Sequence, residues 1–365
     1  MAGVYISYPF CSQKCTYCNF ASGVFHDALE RDYTEALERE IAGHAWTWLP
    51  ETVYLGGGTP ARMRVASLDR LLRLVPGRPW IEATIEAAPG MLDEETARGW
   101  REGGITRVSL GVQSFVQREA ARAGRKHTAA VVEREMRVLA DAGIGHVNID
   151  LIAGLAGQTR ESWEESLGWV ERLAPDHVSV YMLEVDEDSR LGSEILAGGA
   201  RYGACEVATD DAIAEMYEAA AERLAAMGLK RYEISNFARP GCESRHNLKY
   251  WRLELYAGFG ADAHSFDGRR RWSNVESPIE YVERVRTGQT PRRPPVEADT
   301  NERLYLGLRL SEGVRPAEAD WRRFHEPIRR FVDAGLLEHY GAALRLTSRG
   351  ILLSNEVFQE FVETC

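Results

Sequence analysis

Close to its start the chain reads Cys11-Ser12-Gln13-Lys14-Cys15-Thr16-Tyr17-Cys18. Three thiolates on one short loop are one ligand short of the four cysteines that usually hold a [4Fe–4S] cluster, so one iron stays open to a small molecule. Structural zinc sites, the competing interpretation, are closed by four Cys or His ligands, and this loop offers no fourth. A third interpretation places the cysteines on one buried helix face, but Pro9 and the weak helix formers after Cys15 oppose a helix. The spacing therefore favours an iron–sulfur loop.

The composition is that of an ordinary globular chain. Its 365 residues, 44% hydrophobic and 27% charged, suffice for about two domains. The net charge of −11 argues against general nucleic-acid binding, which needs a basic patch. The cysteines outside the loop, Cys205, Cys242 and Cys365, are too scattered for a disulfide framework and suit a reducing compartment. Since the chain shows neither a secretory leader nor an apolar run of about 18 residues, we expect a cytoplasmic protein without a membrane span.

Short apolar strands alternate with longer amphipathic helices over the first half of the chain. The first long helix is predicted at Ala28–Trp46. Strands that alternate with helices pair in parallel through right-handed crossovers, which predicts an α/β fold built as an open, partial (β/α) barrel of six units. The predicted strands are Val4–Tyr8, Val53–Leu55, Thr84–Glu86, Arg107–Gly111, His146–Ile152 and His177–Leu183.

Polar and glycine residues stand at the carboxyl ends of the predicted strands, where barrels of this kind hold their chemistry. Gly56-Gly57-Gly58-Thr59-Pro60 follows the second strand, and glycine lets the main chain come close to a ligand. Glu86 ends the third strand, Gln113 ends the fourth and Asp150 lies within the fifth. Polar groups inside a barrel are costly unless they are satisfied, either by each other and the loop backbone or by a ligand.

The cysteine loop, with Tyr17 just before its last cysteine, resembles the cluster loop of the radical S-adenosylmethionine (radical SAM) superfamily. In that superfamily the amino and carboxylate groups of SAM chelate the open iron, and an electron from the reduced cluster cleaves SAM to a 5′-deoxyadenosyl radical. The glycine run resembles the segment that holds the methionine amino group. The resemblance implies a [4Fe–4S] cluster on Cys11, Cys15 and Cys18, SAM on its open iron, and an electron donor.

From Tyr5 to about His264 the chain resembles the coproporphyrinogen III oxidase-like branch of that superfamily, and most closely the HemW-type heme chaperones. The resemblance implies a partial (β/α)6 radical SAM barrel. Carboxylates accept hydrogen bonds from hydroxyl and ammonium groups, and a guanidinium grips a carboxylate, so such side chains suit SAM. The implied SAM contacts are Tyr5, the main chain at Tyr17, Gly57, Gly58, Thr59, Glu86, Gln113, Arg125 and Asp150, with Glu184 matching less well.

The segment His246-Asn247-Leu248-Lys249-Tyr250 resembles the HNxxY motif with which HemW-type proteins bind heme. On a helix His246 and Tyr250 share a face, which directs an imidazole and a phenol toward one ligand, and both residue types ligate heme iron. The bland interpretation is a surface histidine and a packed tyrosine. His264 is a second candidate for the heme site. Cys242 raises covalent heme attachment, but the Cys-x-x-Cys-His pattern of such attachment is absent.

Two activities in that branch are separated by residues near the cluster loop. The oxygen-independent coproporphyrinogen III dehydrogenase has a fourth cysteine two residues past the third and a long N-terminal arm, whereas here Phe20 holds that position and ten residues precede Cys11. We therefore expect a heme chaperone that passes heme to an unidentified acceptor protein. The alternative is the dehydrogenase itself, and a third interpretation is radical-driven heme ring opening. Ser7-Tyr8 and Ala156 depart from the family pattern without removing a cluster ligand.

The C-terminal part of the chain is predicted to form a separate winged-helix-like α+β domain at 297–365, after a barrel at 1–286 and a proline-rich linker at 287–296. Arginines on its second helix suggest DNA binding, but charged helix faces are usually solvated, so we expect no nucleic-acid partner. Its predicted elements are helices at Asn301–Leu310 and Ala317–Ala334, a hairpin at Gly335–His339 and Leu344–Thr347, and a last helix at Gly350–Val362.

Overall fold

The structure, a computed structural model, describes residues 2–362. Within them a single large sheet holds seven neighbouring parallel strands, and six of these are the strands expected from the sequence. The parallel strands β1 to β6 run over Ala2–Tyr8, Thr52–Gly57, Glu82–Ala87, Arg107–Gln113, His146–Ala153 and His177–Met182. The helices between them, α1 to α6, are Asp27–Ala42, Val65–Leu74, Glu94–Glu102, Gln117–Arg122, Ala129–Asp141 and Arg160–Leu173.

The sheet extends beyond the six predicted units at both edges. After β6 the chain forms α7 (Arg190–Leu196), α8 (Asp210–Ala226), β7 (Lys230–Arg231), β8 (Asn236–Ala238), α9 (Arg245–Trp251), β9 (Leu255–Phe259), β10 (His264–Phe266), β11 (Arg270–Ser273), α10 (Pro278–Arg286) and β12 (Val296–Glu297). The strand order is β12-β11-β10-β9-β1-β2-β3-β4-β5-β6-β8-β7, so the described sheet is an open, partial barrel. Strand β9 pairs in parallel with β1, whereas β8 pairs antiparallel with β6.

Strand β9 is the seventh parallel strand, and the sequence analysis missed it. It is five residues long and follows α9, a segment that the sequence analysis interpreted only as a heme motif. Gly258 is required within it, because a Cβ there would stand 2.1 Å from the main-chain oxygen of His264. Strand β9 therefore packs closely against the start of β10, a constraint that apolar periodicity does not express.

Several predicted helices end earlier or divide. The first helix ends at Ala42 with Gly43 as its C-cap, four residues before the predicted Trp46, because glycine favours helix termini. The predicted helix Ala317–Ala334 is divided at Phe324, and the last helix is divided at Leu353.

The C-terminal module contains a short hairpin framed by helices, in the order predicted for a winged-helix-like unit. Its elements are α11 (Glu302–Leu308), α12 (Glu318–Arg323), α13 (His325–Asp333), β13 (Leu337–Tyr340), β14 (Ala343–Leu346), α14 (Ser348–Leu352) and α15 (Ser354–Gln359). Ion pairs join it to the barrel, including Arg271 to Glu302 at 2.6 Å and Arg309 to Glu233 at 3.1 Å.

The segment predicted as a linker is held against the sheet. The Arg293 N–H donates to the Ser273 oxygen at 2.8 Å, and the Val275 N–H donates to the Pro291 oxygen at 2.9 Å. An extended proline-rich segment can lie along a strand edge through its free carbonyl groups, so composition alone overstated its independence. The boundaries at 286 and 297 stay predictions.

None of the helices described in residues 2–362 has the length and apolar character that a membrane span requires.

Candidate functional site

The three cysteines lie on a loop without helical structure, directly after β1, so the buried-helix interpretation is wrong. The Cys11 N–H donates to the Gly23 oxygen at 2.8 Å, which closes the loop on itself. The Thr16 N–H and hydroxyl donate to main-chain oxygens at the end of α4, at 3.3 and 3.1 Å. Backbone and hydroxyl contacts therefore fix the loop while its thiols stay available as ligands.

The spacing of the three thiols distinguishes between a single ion and a cluster. A tetrahedral zinc with Zn–S bonds of about 2.3 Å requires sulfurs about 3.8 Å apart. Within residues 2–362, Cys11, Cys15 and Cys18 do not form a set of ligand atoms within 4.8 Å of one another. They are nevertheless close enough that Cys18 and Cys15 raise the pKa of Cys11, after the larger effect of burial. At least one pair of these sulfurs therefore lies farther apart than a single zinc ion requires, which favours a multi-iron cluster over one metal ion.

The glycine ridge, residues 56–59, lies against the cysteine loop. The Gly58 N–H donates to the Tyr8 oxygen at 2.8 Å, and the Thr59 N–H donates to the Phe10 oxygen at 2.9 Å. A Cβ on Gly58 would stand 2.8 Å from the carbonyl carbon of Pro9. Glycine is therefore needed at this position because the ridge approaches the chain's own cysteine loop as closely as atoms allow.

Two carboxylates follow in the neighbouring strands. Glu86 accepts from the Tyr54 hydroxyl at 2.9 Å and from the Gly57 N–H at 3.2 Å, and burial raises the pKa of its carboxyl to about 7. Asp150 accepts from Ser109 at 3.0 Å and from Asn148 at 2.7 Å, and burial again raises the pKa of the carboxyl. The protein thus supplies several of their hydrogen bonds itself, which is the alternative that the sequence left open.

Arg125 and Gln113 meet beside these carboxylates. A Cβ on Gly111 would stand 3.1 Å from the Gln113 amide nitrogen and 3.3 Å from Nη2 of Arg125. The pairing register shifts within β4, and Gln113 has a φ of 69°, a left-handed conformation that costs energy for a residue with a side chain. The buried Arg125 Nε has no hydrogen-bond partner in residues 2–362. An orphaned guanidinium donor beside Tyr17 and Cys15 fits an anionic ligand group such as a carboxylate.

Other predicted SAM residues lie in two different places. Tyr5 is on β1 and stacks on Tyr54 with ring centroids 6.1 Å apart, so it faces the same interior as Glu86. Glu184 is exposed and accepts from the Asn355 amide of the C-terminal module at 3.4 Å. Tyr5 therefore lies with Glu86 in the barrel interior, while Glu184 lies at the junction with the C-terminal module.

The sequence analysis missed the side chains that support the carboxylates. Tyr54, Ser109 and Asn148 all lie on strands at inward positions and donate to Glu86 or Asp150. The two-residue alternation of side chains along each strand could have indicated which polar residues face inward. Ser109 and Asn148 are partners in the pairing of β4 with β5.

The helix α9 carries the HNxxY segment, so the predicted i, i+4 relation of His246 and Tyr250 is present. Its imidazole is fully buried: Nδ1 is 2.8 Å from the Thr52 hydroxyl and Nε2 is 2.8 Å from the Tyr250 hydroxyl. Burial lowers the pKa of His246 to about 3, which keeps the ring neutral. Both nitrogens are therefore engaged within the protein, and as arranged the pair does not fit a heme iron.

This pair stands at the opposite end of the barrel from the cysteine loop. The Glu82 carboxylate, at the start of β3, accepts from the His246 N–H at 2.9 Å and pairs with Arg107, at the start of β4, at 3.0 Å. His264 begins β10 and is exposed. The structure does not bring His264 into hydrogen-bond contact with His246.

Comparisons with known proteins agree with this architecture. A family model described as the radical SAM superfamily matches residues 5–170, and one described as the HemN C-terminal domain matches residues 296–353. The heme chaperone HemW of Bacillus subtilis is 33% identical over 99% of both chains. The heme chaperone HemW of Mycobacterium tuberculosis strain H37Rv is 34% identical over 97% of this chain and 93% of its own. The solved structure of coproporphyrinogen III oxidase HemN from Escherichia coli superposes with a TM-score of 0.85 at 21% identity, over 99% of this chain and 90% of that one.

The fold, the cysteine loop and the two family models define a radical SAM protein with a HemN-type C-terminal domain. Full-length similarity then narrows the class further. The chain belongs to the HemW family.

Proposed function

We propose that this protein is a heme chaperone that holds a [4Fe–4S] cluster and SAM, binds heme and transfers it to an acceptor protein. The observation that carries the proposal is the cysteine loop, whose backbone lies against a glycine ridge in a chain whose full-length relatives are named heme chaperones. We place the protein in the cytoplasm, with an electron donor for the cluster and no nucleic-acid partner.

The cluster ligands are proposed to be Cys11, Cys15 and Cys18. Three ligands leave one iron of a cubane open, and the SAM bound there would supply radical chemistry when the cluster is reduced. Around that iron the chain's own groups bind and orient SAM. The proposed contacts are Tyr5, the main chain at Tyr17, Gly57, Gly58, Thr59, Glu86, Gln113, Arg125 and Asp150, with Glu184 at the outer edge.

Each of the interior groups has a chemical role that its surroundings support. The unpaired Nε of Arg125 suits the SAM carboxylate, and the Glu86 carboxylate suits its ammonium. Asp150, held by Ser109 and Asn148, is oriented to accept from ribose hydroxyls. Burial of these groups strengthens such contacts, because the interior screens charge less than water does.

Heme binding is proposed for His246 and Tyr250, and the structure sets a condition for it. The imidazole becomes available only when its hydrogen bond to Tyr250 or to Thr52 opens. A neutral ring needs no deprotonation before it binds iron. Heme loading is therefore expected to rearrange α9.

The competing function is oxygen-independent coproporphyrinogen III dehydrogenation. Phe20 stands where that enzyme has its fourth cysteine, and the residue is 65% exposed. An exposed phenylalanine supplies neither a thiol nor a proton, so this position favours the chaperone.

Two assays on anaerobically reconstituted protein test the proposal. Hemin is titrated into wild type, His246→Ala and the control His325→Ala, an exposed histidine of the C-terminal module. In parallel, SAM, dithionite and coproporphyrinogen III are supplied and protoporphyrinogen is sought by chromatography. We expect stoichiometric heme binding that His246→Ala alone weakens, with no decarboxylated product. Product that requires Cys15 would refute the chaperone assignment, and equal heme binding by both variants would refute the HNxxY site.

A further inference from the structure

A second group of metal-ligating side chains lies at the end of the sheet where the parallel strands begin. His146 is the first residue of β5, Asp176 directly precedes β6, and Cys242 lies in the turn that leads to α9. One ligand atom from each lies within 4.8 Å of the other two, the one such trio within residues 2–362. Three distant chain segments thus bring an imidazole, a carboxylate and a thiol to one point.

Backbone hydrogen bonds and contacts of the Asp176 carboxylate hold the three residues in place. The Asp176 main-chain oxygen accepts from the Arg239 N–H at 2.9 Å, and the Arg239 oxygen accepts from the Cys242 N–H at 2.9 Å. The Asp176 carboxylate accepts from the Val147 N–H at 3.2 Å and lies 2.5 Å from Nδ1 of His146. Backbone hydrogen bonds therefore join Asp176 to the turn that carries Cys242, and β5 places His146 beside them.

We propose that His146, Asp176 and Cys242 form a binding site for Zn²⁺ or a divalent transition metal of similar ligand preference. Zinc bonds to sulfur at about 2.3 Å and to nitrogen or oxygen at about 2.0–2.2 Å, which places ligand atoms about 3.3–3.8 Å apart. Nδ1 of His146 and the Asp176 oxygen are 2.5 Å apart and the Cys242 sulfur lies within 4.8 Å of both, so side-chain rotations would bring the three atoms to these separations. Mg²⁺ and Ca²⁺ prefer sets of oxygen ligands and do not fit a thiol and an imidazole.

The charges balance once the metal is bound. The Cys242 thiol loses its proton to solvent as its sulfur bonds the metal, and the resulting thiolate with the Asp176 carboxylate neutralises Zn²⁺. Arg107 approaches the same turn, donating from Nη2 to the Cys242 oxygen at 2.8 Å, but its charge is paired with Glu82 at 3.0 Å. The His146 side chain is 48% exposed, so water can occupy a fourth position.

The position of the site gives it a structural consequence. The turn that holds Cys242 runs directly into Ser244, the N-cap of α9, whose hydroxyl accepts from the Asn247 N–H at 3.3 Å. A metal bridging Cys242 to β5 and to the residue before β6 would fasten the start of α9 to the sheet. This inference concerns a metal apart from the cluster and does not depend on heme binding.

Zinc competition tests the site in the reconstituted protein, whose loop cysteines are then occupied by the cluster. After removal of loose iron, Zn²⁺ is titrated anaerobically against a chromophoric chelator in wild type, Cys242→Ser, His146→Ala and the control Cys205→Ser, an exposed cysteine outside the trio. We expect one Zn²⁺ per chain in wild type and in Cys205→Ser. Loss of one ligand should weaken binding at least about tenfold, since even changes behind a ligand cost that much.

A second readout identifies the thiolate. Co²⁺ difference spectra should show a sulfur-to-cobalt band in wild type and Cys205→Ser, and Cys242→Ser should lack it. If Cys242→Ser fails to fold, the His146→Ala variant is used instead. The His146 side chain is half exposed, and substitution of a surface residue leaves the fold intact. Zinc affinity unchanged in His146→Ala, or a cobalt band that survives Cys242→Ser, would overturn the proposal.

Discussion

Replacement of Glu82 by glutamine is expected to destabilise the barrel end that carries α9. The carboxylate is 4% exposed and accepts from Arg107 Nε at 3.0 Å, from the Arg245 N–H at 3.2 Å and from the His246 N–H at 2.9 Å. It therefore neutralises a buried guanidinium and also holds the first turn of the HNxxY helix. Glutamine keeps the shape but leaves the Arg107 charge unpaired.

The magnitude follows from the burial of both partners. Removing one member of a buried ion pair costs about 3–5 kcal/mol, and the amide oxygen of the substituted glutamine can still accept one hydrogen bond, which places the change at about 3 kcal/mol. With a urea m-value of about 3 kcal/mol per molar, the unfolding midpoint falls by about 1 M. Tryptophan fluorescence during urea unfolding of the cluster-free protein measures this shift.

Matched variants separate the buried charge from general damage. Glu283→Gln breaks a surface pair with Arg286, in which the side chains are 56% and 66% exposed, and should lower the unfolding midpoint far less than Glu82→Gln does. Combining Glu82→Gln with Arg107→Met removes the unpaired charge and should restore part of the lost stability. If Glu82→Gln unfolds at the same urea concentration as Glu283→Gln, the argument from the buried charge is refuted.

Three other variants test the cofactor sites. Gly58→Ala should lower the iron bound per chain after reconstitution, because its Cβ would press on the Pro9–Phe10 backbone, whereas Gly168→Ala, which meets open space, should bind iron as wild type does. SAM binding should strengthen as pH rises through about 7 and Glu86 ionises, and Glu86→Gln should bind weakly at every pH; calorimetry at several pH values checks this. Because the folded-state pKa of Glu86 lies above its usual 4.5, wild type should also lose stability relative to Glu86→Gln as pH rises from 4.5 to about 7. Tyr250→Phe removes the hydroxyl of a proposed heme-binding residue, so hemin affinity should fall in a Soret titration although Nε2 of His246 loses its hydrogen-bond partner, and unchanged or tighter binding would contradict a heme contact of Tyr250.

Features that depend on residues close together in the sequence could be predicted from the sequence alone. The six strands that alternate with helices appear within a few residues of their predicted bounds, because side-chain periodicity is a local property. The cysteine loop is non-helical, as Pro9 indicated. The missed strand β9 and the tethered linker differ in this respect, because β9 is defined by pairing with β1 at the start of the chain and the linker by hydrogen bonds to Ser273 and Val275, outside its own segment.

Glu86, Gln113 and Asp150 lie on β3, β4 and β5 as expected, but their hydrogen-bond partners could not be foreseen. Glu86 was expected to need a hydrogen-bonding partner, and its donors proved to be Tyr54 and Gly57 of the same protein. Which inward side chains meet depends on the register of neighbouring strands, and a shift of one residue would turn each to the opposite face.

The spacing of Cys11, Cys15 and Cys18 and the glycine ridge can thus be read from the chain, since their chemistry lies within short segments. The state of His246 cannot, because Thr52, which binds its ring, is 194 residues away. The approach of His146, Asp176 and Cys242 is likewise absent from any local pattern. Strand pairing determines which of these distant residues come into contact, because folding brings their segments to the same end of the sheet and buries them there.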